Sequence, residues 1–453
     1  MATSTSIPPL APIGLRQYQP LLSTLQRPGL VKTQGFIDGK WIEAHGNDHF
    51  VVVDPATEQE VARVVSMGEE DTRDAIAAAS TAQRQWKKTT PPVRAKLLKA
   101  WAAAIAANSE DLAVIGSVEC GKPLLEAKWE VEFAVGVIEY FSHEIVRSSG
   151  FLISPIQPNQ KILVMKEPVA GVINVITAPR ERSEEVGRAL TSSNDVRKIT
   201  LAGSTQVGKW LLRHSSETVK SLSLELGGNA PFIVFEDADL EKALDGLIRT
   251  KFSNTGQACI ASNRIFVHSS MYETFASEVV KRVKALKMGL PLEEGVQLGP
   301  LVGPSAVKKV TGLVGDAVAH GAKVLLGGKS SGLGKNFYEA TVLSNLNQSM
   351  RIWSEEIFGP VVPLFVFSSE EEVIGMANDT PAGLAGYFYT QDAARMFRVA
   401  GELECGMVGV NSELVTHIGA PFGGMKQSGI GREGSREGLE EYLETKMVCI
   451  GGL

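Results

Sequence analysis

Cys259 and Glu225 are the residues whose types and settings could do chemistry. Cys259 ends the run Phe-Ser-Asn-Thr-Gly-Gln-Ala-Cys (252–259), and Glu225 lies where an apolar run meets the Gly-Gly break at 227–228. A free thiol with a pKa of about 8.5 is only a few per cent thiolate at neutral pH, so it needs a nearby base to react. The pair therefore predicts a nucleophile, Cys259, with a carboxylate base, Glu225. The alternatives are a small buried side chain for Cys259 and a strand-end ion pair for Glu225.

Five further segments stand in an order that matches one known family. They are Phe-Ile-Asp-Gly-Lys-Trp (36–41), Asp-Pro-Ala-Thr (54–57), Gly-Ser-Thr-Gln-Val-Gly (203–208), Glu-Glu-Ile-Phe-Gly-Pro (355–360) and Pro-Phe-Gly-Gly-Met-Lys-Gln-Ser-Gly (421–429). From about Gly35 to the C-terminus the chain resembles the aldehyde dehydrogenase superfamily, and most of all its succinate-semialdehyde dehydrogenases. The resemblance implies an α/β fold with a Rossmann-type parallel sheet, a second α/β domain with the nucleophilic cysteine, and an oligomerisation hairpin.

One part of the family pattern is absent. After Glu-Pro-Val-Ala-Gly-Val (167–172) the family continues through a strand ending in Pro-Trp-Asn-Phe-Pro, a helix, a second strand ending in Lys-Pro and another helix. Here Gly171-Val172 runs directly into Ile-Asn-Val-Ile (173–176), as though two similar sites had been joined. We therefore expect two strand–helix units, on the order of 50 residues, to be missing, which would truncate the dinucleotide-binding domain.

The resemblance also implies where a dinucleotide would bind. Gly203, Ser204 and Gly208 match a helix start that faces the cofactor diphosphate, and Glu356 and Phe358 match positions beside the nicotinamide ribose and ring. The missing segment would hold an oxyanion-binding asparagine and a ribose-binding lysine, so the backbone N–H of the cysteine remains as the oxyanion donor. NAD or NADP is the implied cofactor, but we expect its binding to be weak or lost, because part of the sheet that supports it is gone.

The segment 203–209 has a second interpretation. Its Gly-x₄-Gly-Lys spacing is that of a phosphate loop, but Trp210 stands where such a loop needs Ser or Thr to bind magnesium. A helix start inherited from a dinucleotide site is therefore favoured.

The substrate anchors of succinate-semialdehyde dehydrogenases do not match either. In those enzymes an arginine six residues before the cysteine holds the distal carboxylate, and a second arginine lies in the segment missing here. Ser253 occupies the first position, and the loop 412–417 places Glu413 at the expected substrate mouth. Loss of charge-assisted pairing disfavours a dicarboxylic semialdehyde, so an uncharged or apolar carbonyl substrate is expected.

Three functions stay open. The favoured one is an aldehyde dehydrogenase-superfamily enzyme that acts on a carbonyl substrate through Cys259 and Glu225, with cofactor-independent covalent or acid-base chemistry in place of NAD(P)-dependent oxidation. The second is a catalytically silent relative that serves as a binding or assembly partner. The third is a classical NAD(P)-dependent semialdehyde dehydrogenase.

Composition restricts the partners. The chain has 453 residues, 44% of them hydrophobic, and a formal net charge of −6 without charge clusters, which argues against nucleic acid as the main partner. No apolar run reaches the roughly 18 residues of a membrane span. The four cysteines and seven histidines show no spacing typical of a disulfide framework or a metal site. A cytoplasmic protein is expected, with a mitochondrial location as the alternative, since residues 1–37 lack Asp and Glu.

Periodicity predicts the elements. Helix pairs are expected within 71–108 and 111–149, a projecting hairpin over 150–166, and a parallel sheet from the runs Val172–Thr177, Arg197–Leu201 and Ser221–Leu224, with helices at Ser183–Leu190 and Gln206–Ser216.

The predicted domains follow from these elements. Residues 1–30 are expected to form a disordered arm, 31–149 and 166–226 a truncated dinucleotide-binding domain, and 227–429 the catalytic domain. Residues 150–165 and 430–453 are expected to be oligomerisation elements of a homodimer or homotetramer. The alternative for the tail 441–450 is an edge strand of its own domain.

Overall fold

The computed structural model describes residues 21–155, 157–168 and 171–452. The helices of these residues are α1 Leu21–Thr24, α2 Glu69–Trp86, α3 Pro91–Ala106, α4 Ser109–Cys120, α5 Leu124–Glu144, α6 Ser183–Ser192, α7 Thr205–Ser215, α8 Leu240–Phe252, α9 Tyr272–Ala285, α10 Pro304–Ala319, α11 Arg351–Ser354, α12 Glu370–Asn378, α13 Ala393–Glu402 and α14 Ser435–Glu440. The strands are β1 Gly35–Ile37, β2 Lys40–Ile42, β3 His49–Val53, β4 Glu60–Val65, β5 Phe151–Ile153, β6 Gln160–Pro168, β7 Lys198–Ala202, β8 Ser221–Glu225, β9 Ala230–Val234, β10 Ser262–His268, β11 Lys323–Leu326, β12 Thr341–Ser344, β13 Val361–Phe367, β14 Ala382–Gly383, β15 Ala385–Tyr389, β16 Met407–Val410, β17 Met425–Lys426, β18 Gly429–Ile430 and β19 Leu443–Gly451.

A seven-stranded sheet forms the larger core, in the order β11-β12-β13-β10-β9-β15-β16. Its strands are parallel except for the edge strand β11. Strands β9 and β15 are buried along their whole length, as expected for parallel strands with both faces covered. One apolar cluster fills each face of the sheet, so the α/β fold expected for the second half of the chain is confirmed.

A second, three-stranded sheet has the order β18-β8-β7. Strands β7 and β8 are parallel and β18 is antiparallel to β8, which leaves β7 at an edge. The prediction that Val172–Thr177 joins this sheet is wrong. Val175 instead makes one antiparallel bridge to Phe36, and Thr177 bonds to the backbone of Val65 and Met67. The N-terminal hairpins, and not β7, supply the hydrogen-bond partners of the segment Val172–Thr177.

Four helices form between residues 69 and 144, as the periodicity predicts. Helices α2 and α3 lie within 69–106, and α4 and α5 lie within 109–144. Gly121, the predicted break between the last two, is left-handed with φ of 79° and caps α4. The helices α6 and α7 also form where they are expected.

The predicted hairpin and tail form one antiparallel sheet, in the order β19-β6-β5. Strand β19 pairs with β6 from Leu443 opposite Pro168 to Gly451 opposite Gln160. The tail is therefore an edge strand on its own chain's hairpin, and its role in oligomerisation stays a prediction.

Residues 21–30 are ordered against the helices of the N-terminal region. Residues 1–20 lie outside the described residues, but the prediction of disorder is wrong for 21–30. The backbone N–H groups of Gln26 and Arg27 donate to the Asp111 carboxylate, and Leu25 is buried beside Val118. Among the described helices, none is long and apolar enough to cross a membrane.

Candidate active site

Cys259 lies in a strained loop between α8 and β10. A 3₁₀ turn over Ser253–Gly256 leads into it, and there Asn254 (φ 49°, ψ 36°) and Thr255 (φ 57°, ψ 32°) are left-handed, followed by Gly256 at φ 76°. The left-handed conformation costs a residue with a side chain about 1–2 kcal/mol. Such a loop persists only where its surroundings fix it, and this one ends three residues before the candidate nucleophile.

Side chains of the loop fasten it to the segment 299–302. The Thr255 hydroxyl donates to the Gly299 carbonyl at 3.2 Å and accepts the Gly299 N–H at 3.0 Å. The Gln257 amide accepts the Val302 N–H at 2.8 Å and donates to the Pro300 carbonyl at 3.4 Å. These bonds explain the polar residues of the Asn-Thr-Gly-Gln sequence, because each satisfies a buried backbone group.

The chain segments of Glu225 and Cys259 come together at the linker between the two sheets. Glu225 is the last residue of β8, and residues 226–229 cross from there to β9. Gly228 in this linker packs directly on the nucleophile's backbone: a Cβ at Gly228 would lie 2.1 Å from the Cys259 carbonyl oxygen. The glycine pair at 227–228 thus permits close contact between the two candidate catalytic segments.

The Cys259 thiol is held neutral in this environment. Burial, together with the nearby carboxylates of Glu356 and Glu225, raises its pKa to about 11. The backbone N–H groups of Cys259 and Ile260 act in the opposite direction, because they stabilise the thiolate. If Cys259 acts as a nucleophile, its thiol needs a base at the moment of attack.

Glu225 has the properties of such a base. Burial raises its pKa to about 8, the charge of Glu433 adds to this rise, and Arg432 opposes it. Its Oε2 is buried without a hydrogen-bond partner among the described residues. A carboxyl with a pKa near neutrality both ionises and accepts a proton in the working range of most enzymes, which suits general base catalysis.

The residues assigned to the cofactor lie on both sides of the same linker. Ser204 caps α7 by accepting the Val207 N–H, and the Gly203 N–H donates to the carbonyl of Glu225 at 2.9 Å. A Cβ at Gly227 would lie 3.2 Å from Glu356 Oε2 and 3.4 Å from Thr205 Oγ1. The structure therefore brings the start of α7 and Glu356 close to the same glycine.

Gly208 and Phe358 have different surroundings. Gly208 lies inside α7 and packs on Leu226, where a Cβ would come within 2.6 Å of the Leu226 methyl groups. It supports helix packing rather than facing the cleft. Phe358 follows Glu356 with φ of 55°, and the next residue, Gly359, places its carbonyl against Gly256. The loop 355–360 thus packs against the loop that leads to Cys259.

Three charged residues near the site were not predicted from the sequence. Lys251 on α8 is fully buried, its Nζ has no hydrogen-bond partner among the described residues, and burial lowers its pKa to about 7. Glu433 faces Glu225, and the Glu126 carboxylate accepts the Asn254 N–H. Only the fold brings them to the site. Within the described ranges, no group of three His, Cys, Asp or Glu side chains could hold a metal ion.

A half-buried thiol, a buried carboxyl and a capped helix start lie around one inter-sheet linker, as in an α/β oxidoreductase scaffold. The model of the aldehyde dehydrogenase family matches residues 41–179 and 170–448. The chain belongs to the aldehyde dehydrogenase family.

The relatives include semialdehyde dehydrogenases. The mitochondrial succinate-semialdehyde dehydrogenase of Oryza sativa subsp. japonica is 42% identical over 94% of this chain and 90% of its own length. The NADP(+) succinate-semialdehyde dehydrogenase of Escherichia coli (strain K12) is 38% identical over 93% of this chain and 98% of its own length. The crystal structure of succinate-semialdehyde dehydrogenase from Burkholderia pseudomallei matches with a TM-score of 0.92 at 40% identity, covering 95% of this chain and 100% of that chain.

These likenesses confirm the family and the enzyme class that the motifs predicted. They give no support to the expected loss of cofactor binding, because a relative that covers nearly the whole chain is named for its use of NADP(+). They favour the classical alternative over the cofactor-independent chemistry that the sequence analysis preferred.

Proposed function

We propose that this chain is an NAD(P)-dependent dehydrogenase that oxidises a small aldehyde of the semialdehyde class to its acid, with Cys259 as nucleophile and Glu225 as base. The observation that carries the proposal is the meeting of both residues with the start of α7 and Glu356 at the linker 226–229. The relatives named for succinate semialdehyde suggest the substrate class.

The first step follows from the two raised pKa values. Glu225 accepts the proton of the Cys259 thiol as sulfur attacks the aldehyde carbon, because the thiol is neutral at rest. A carbon–sulfur bond forms, and the aldehyde oxygen becomes an oxyanion. A backbone N–H at Cys259 stabilises that oxygen, as a fixed donor does at developing charge.

The residues present fit part of a dinucleotide. Gly203, Ser204 and the N-terminus of α7, with its helix dipole, suit a diphosphate, and Glu356 with Phe358 suits the nicotinamide end. When bound, NAD(P) supplies the acceptor for the hydride that leaves the substrate carbon. Glu225 then has a second task, which is to take a proton from the water that cleaves the thioester and releases the acid.

A second candidate function is cofactor-independent chemistry at Cys259, and the smaller sheet favours it. That sheet has two parallel strands, with β7 at a free edge. The alignment with the rice relative spans 480 positions, more than the 453 residues of this chain, so the relative has residues without a counterpart here. A shortened sheet supports less of the adenosine half of a dinucleotide.

Calorimetric titration with NAD and NADP decides between the two candidates. Saturable binding of either nucleotide, weakened at least tenfold by Glu356→Ala and unchanged by Glu371→Ala on the exposed side of α12, supports the dehydrogenase. Absence of saturable binding up to millimolar nucleotide overturns it and leaves the cofactor-independent reaction.

We further propose a homo-oligomer that is assembled through the sheet β5-β6-β19. Large apolar side chains are exposed on it, with Leu152 73% and Met447 62% exposed. Soluble proteins rarely leave such a patch open, so a second copy of the chain is the expected partner.

A further inference from the structure

One carboxylate from the N-terminal helices reaches the loop of the nucleophile. The Asn254 N–H donates to Glu126 Oε2 at 2.5 Å, and the Ser253 hydroxyl lies 3.5 Å from the same oxygen. Glu126 stands in the first turn of α5, 128 residues from Asn254 in sequence. This bond therefore joins the helical half of the chain to the segment that leads to Cys259.

The bond acts at the start of the left-handed segment. Asn254 is its first residue, and Thr255 and Gly256 follow. Downstream, Thr255 and Gln257 are fastened to residues 299–302. Upstream, Glu126 supplies the acceptor for the backbone N–H at the point where the chain turns out of α8. Without it, one end of the strained segment loses its fixed partner.

The charge of Glu126 changes within the neutral range. Burial, with a smaller contribution from the charge of Glu130, raises its pKa to about 7, against the opposing effects of the Asn254 N–H, Lys122 and the Ser253 hydroxyl. Lys122, which precedes α5, is itself ion-paired with Glu130 on α5. From the loop, only the polar groups of Ser253 and Asn254 face the carboxyl among the described residues. A hydrogen bond to a carboxylate is about twice as strong as one to a neutral acceptor, so ionisation of Glu126 tightens the loop.

We infer that Glu126 is a positioning residue for the nucleophile: its ionised carboxylate fixes Asn254 and the left-handed segment, and thereby sets the direction of the Cys259 thiol. Protonation of Glu126 weakens this bond and loosens the loop. The inference rests on the proposed role of Cys259. The inference adds a control over the position of the nucleophile. This control depends on pH, and it originates in α5, outside the catalytic domain.

The test uses amide hydrogen exchange of the peptide 252–260 at pH 8.5 and pH 5.5 in the full chain. Glu126→Gln keeps an acceptor but has no charge, Glu126→Ala has no acceptor, and Glu132→Gln is a matched control at an exposed position of α5. At pH 8.5 we expect at least threefold faster exchange in Glu126→Gln than in the wild type, and at pH 5.5 equal exchange within a factor of two. Glu126→Ala exchanges faster at both pH values, and the control at neither.

Two results overturn the inference. One is an unchanged exchange rate in Glu126→Gln at pH 8.5, and the other is an equal effect at both pH values, which a merely structural role would give. The exchange measurement needs neither cofactor nor aldehyde, so its outcome is separate from that of the proposed function. Alkylation of Cys259 by iodoacetamide at pH 8.5 then links the loop to the thiol: Glu126→Gln should slow it at least threefold, and an unchanged rate refutes the positioning of the nucleophile.

Discussion

The Glu356 carboxylate accepts the Gly228 N–H at 2.9 Å, while Gly228 itself packs on the carbonyl of Cys259. One glycine thus joins the candidate cofactor carboxylate to the candidate nucleophile. Because the candidate base Glu225 ends β8 three residues before Gly228, the geometry of all three depends on a position that has no side chain.

Gly228→Ala should therefore strongly reduce activity. The added Cβ would lie 2.1 Å from a backbone oxygen, so the linker or the nucleophile loop must shift. A shift of about 1 Å at the reacting groups costs on the order of 100-fold in rate. Gly375→Ala on α12, where a Cβ meets no atom within 4 Å, is the control, and its activity should equal that of the wild type. Full activity of Gly228→Ala would show that the linker does not set the site.

Glu225→Gln should make the protein more stable at high pH. The folded-state pKa of about 8 lies above the usual 4.5, so the stability from the protonated carboxyl is fully present below pH 4.5 and is lost as the pH rises through 8. Gln does not titrate. Its advantage should grow between pH 5 and pH 9 to about 3–5 kcal/mol, measured as a rise in melting temperature. Two results would contradict a buried carboxylate without a hydrogen-bond partner. One is a difference in melting temperature that does not change with pH, and the other is a difference no larger than that of Glu132→Gln.

Cys259 should be a slow thiol at neutral pH. With a pKa of about 11, roughly one thiol in ten thousand is ionised at pH 7, whereas Cys449 is exposed. Iodoacetamide should label Cys449 first, and the rate at Cys259 should rise about tenfold per unit between pH 7 and pH 9. Peptide mass spectrometry gives both rates from one sample. A rate at Cys259 that reaches its plateau below pH 8 would mean a thiolate at rest and would remove the need for Glu225.

Assembly should depend on the sheet β5-β6-β19. Light scattering is expected to give a dimer or tetramer at micromolar concentration, and Leu152→Glu should shift it toward monomer, because burying an unpaired charge at an interface is costly. Leu333→Glu, at an exposed position in a loop of the catalytic half, serves as the control. A monomeric wild type contradicts this role of the sheet.

Local sequence patterns predicted the features that depend on neighbouring residues in the chain. They did not predict the contacts that the fold makes between residues distant in sequence. The helices α2–α5 follow from apolar spacing and from the break at Gly121, and Cys259 with Glu225 follows from residue type and turn context. Val172–Thr177 was assigned to the wrong partners, because strand propensity does not say which edge accepts a strand. The contact between Glu126 and Asn254 joins residues 128 positions apart, so no periodicity could indicate it.

The central claim is that Cys259 and Glu225 oxidise a semialdehyde with NAD(P). Steady-state formation of NADH or NADPH, followed by absorbance with succinate semialdehyde or glutarate semialdehyde, tests it most directly. We expect turnover by the wild type and by Cys120→Ala, at least a 1000-fold loss in Cys259→Ala, and a loss of about 100-fold or more in Glu225→Gln. No reduced nucleotide from the wild type with either cofactor, or undiminished turnover in Cys259→Ala, would contradict the account.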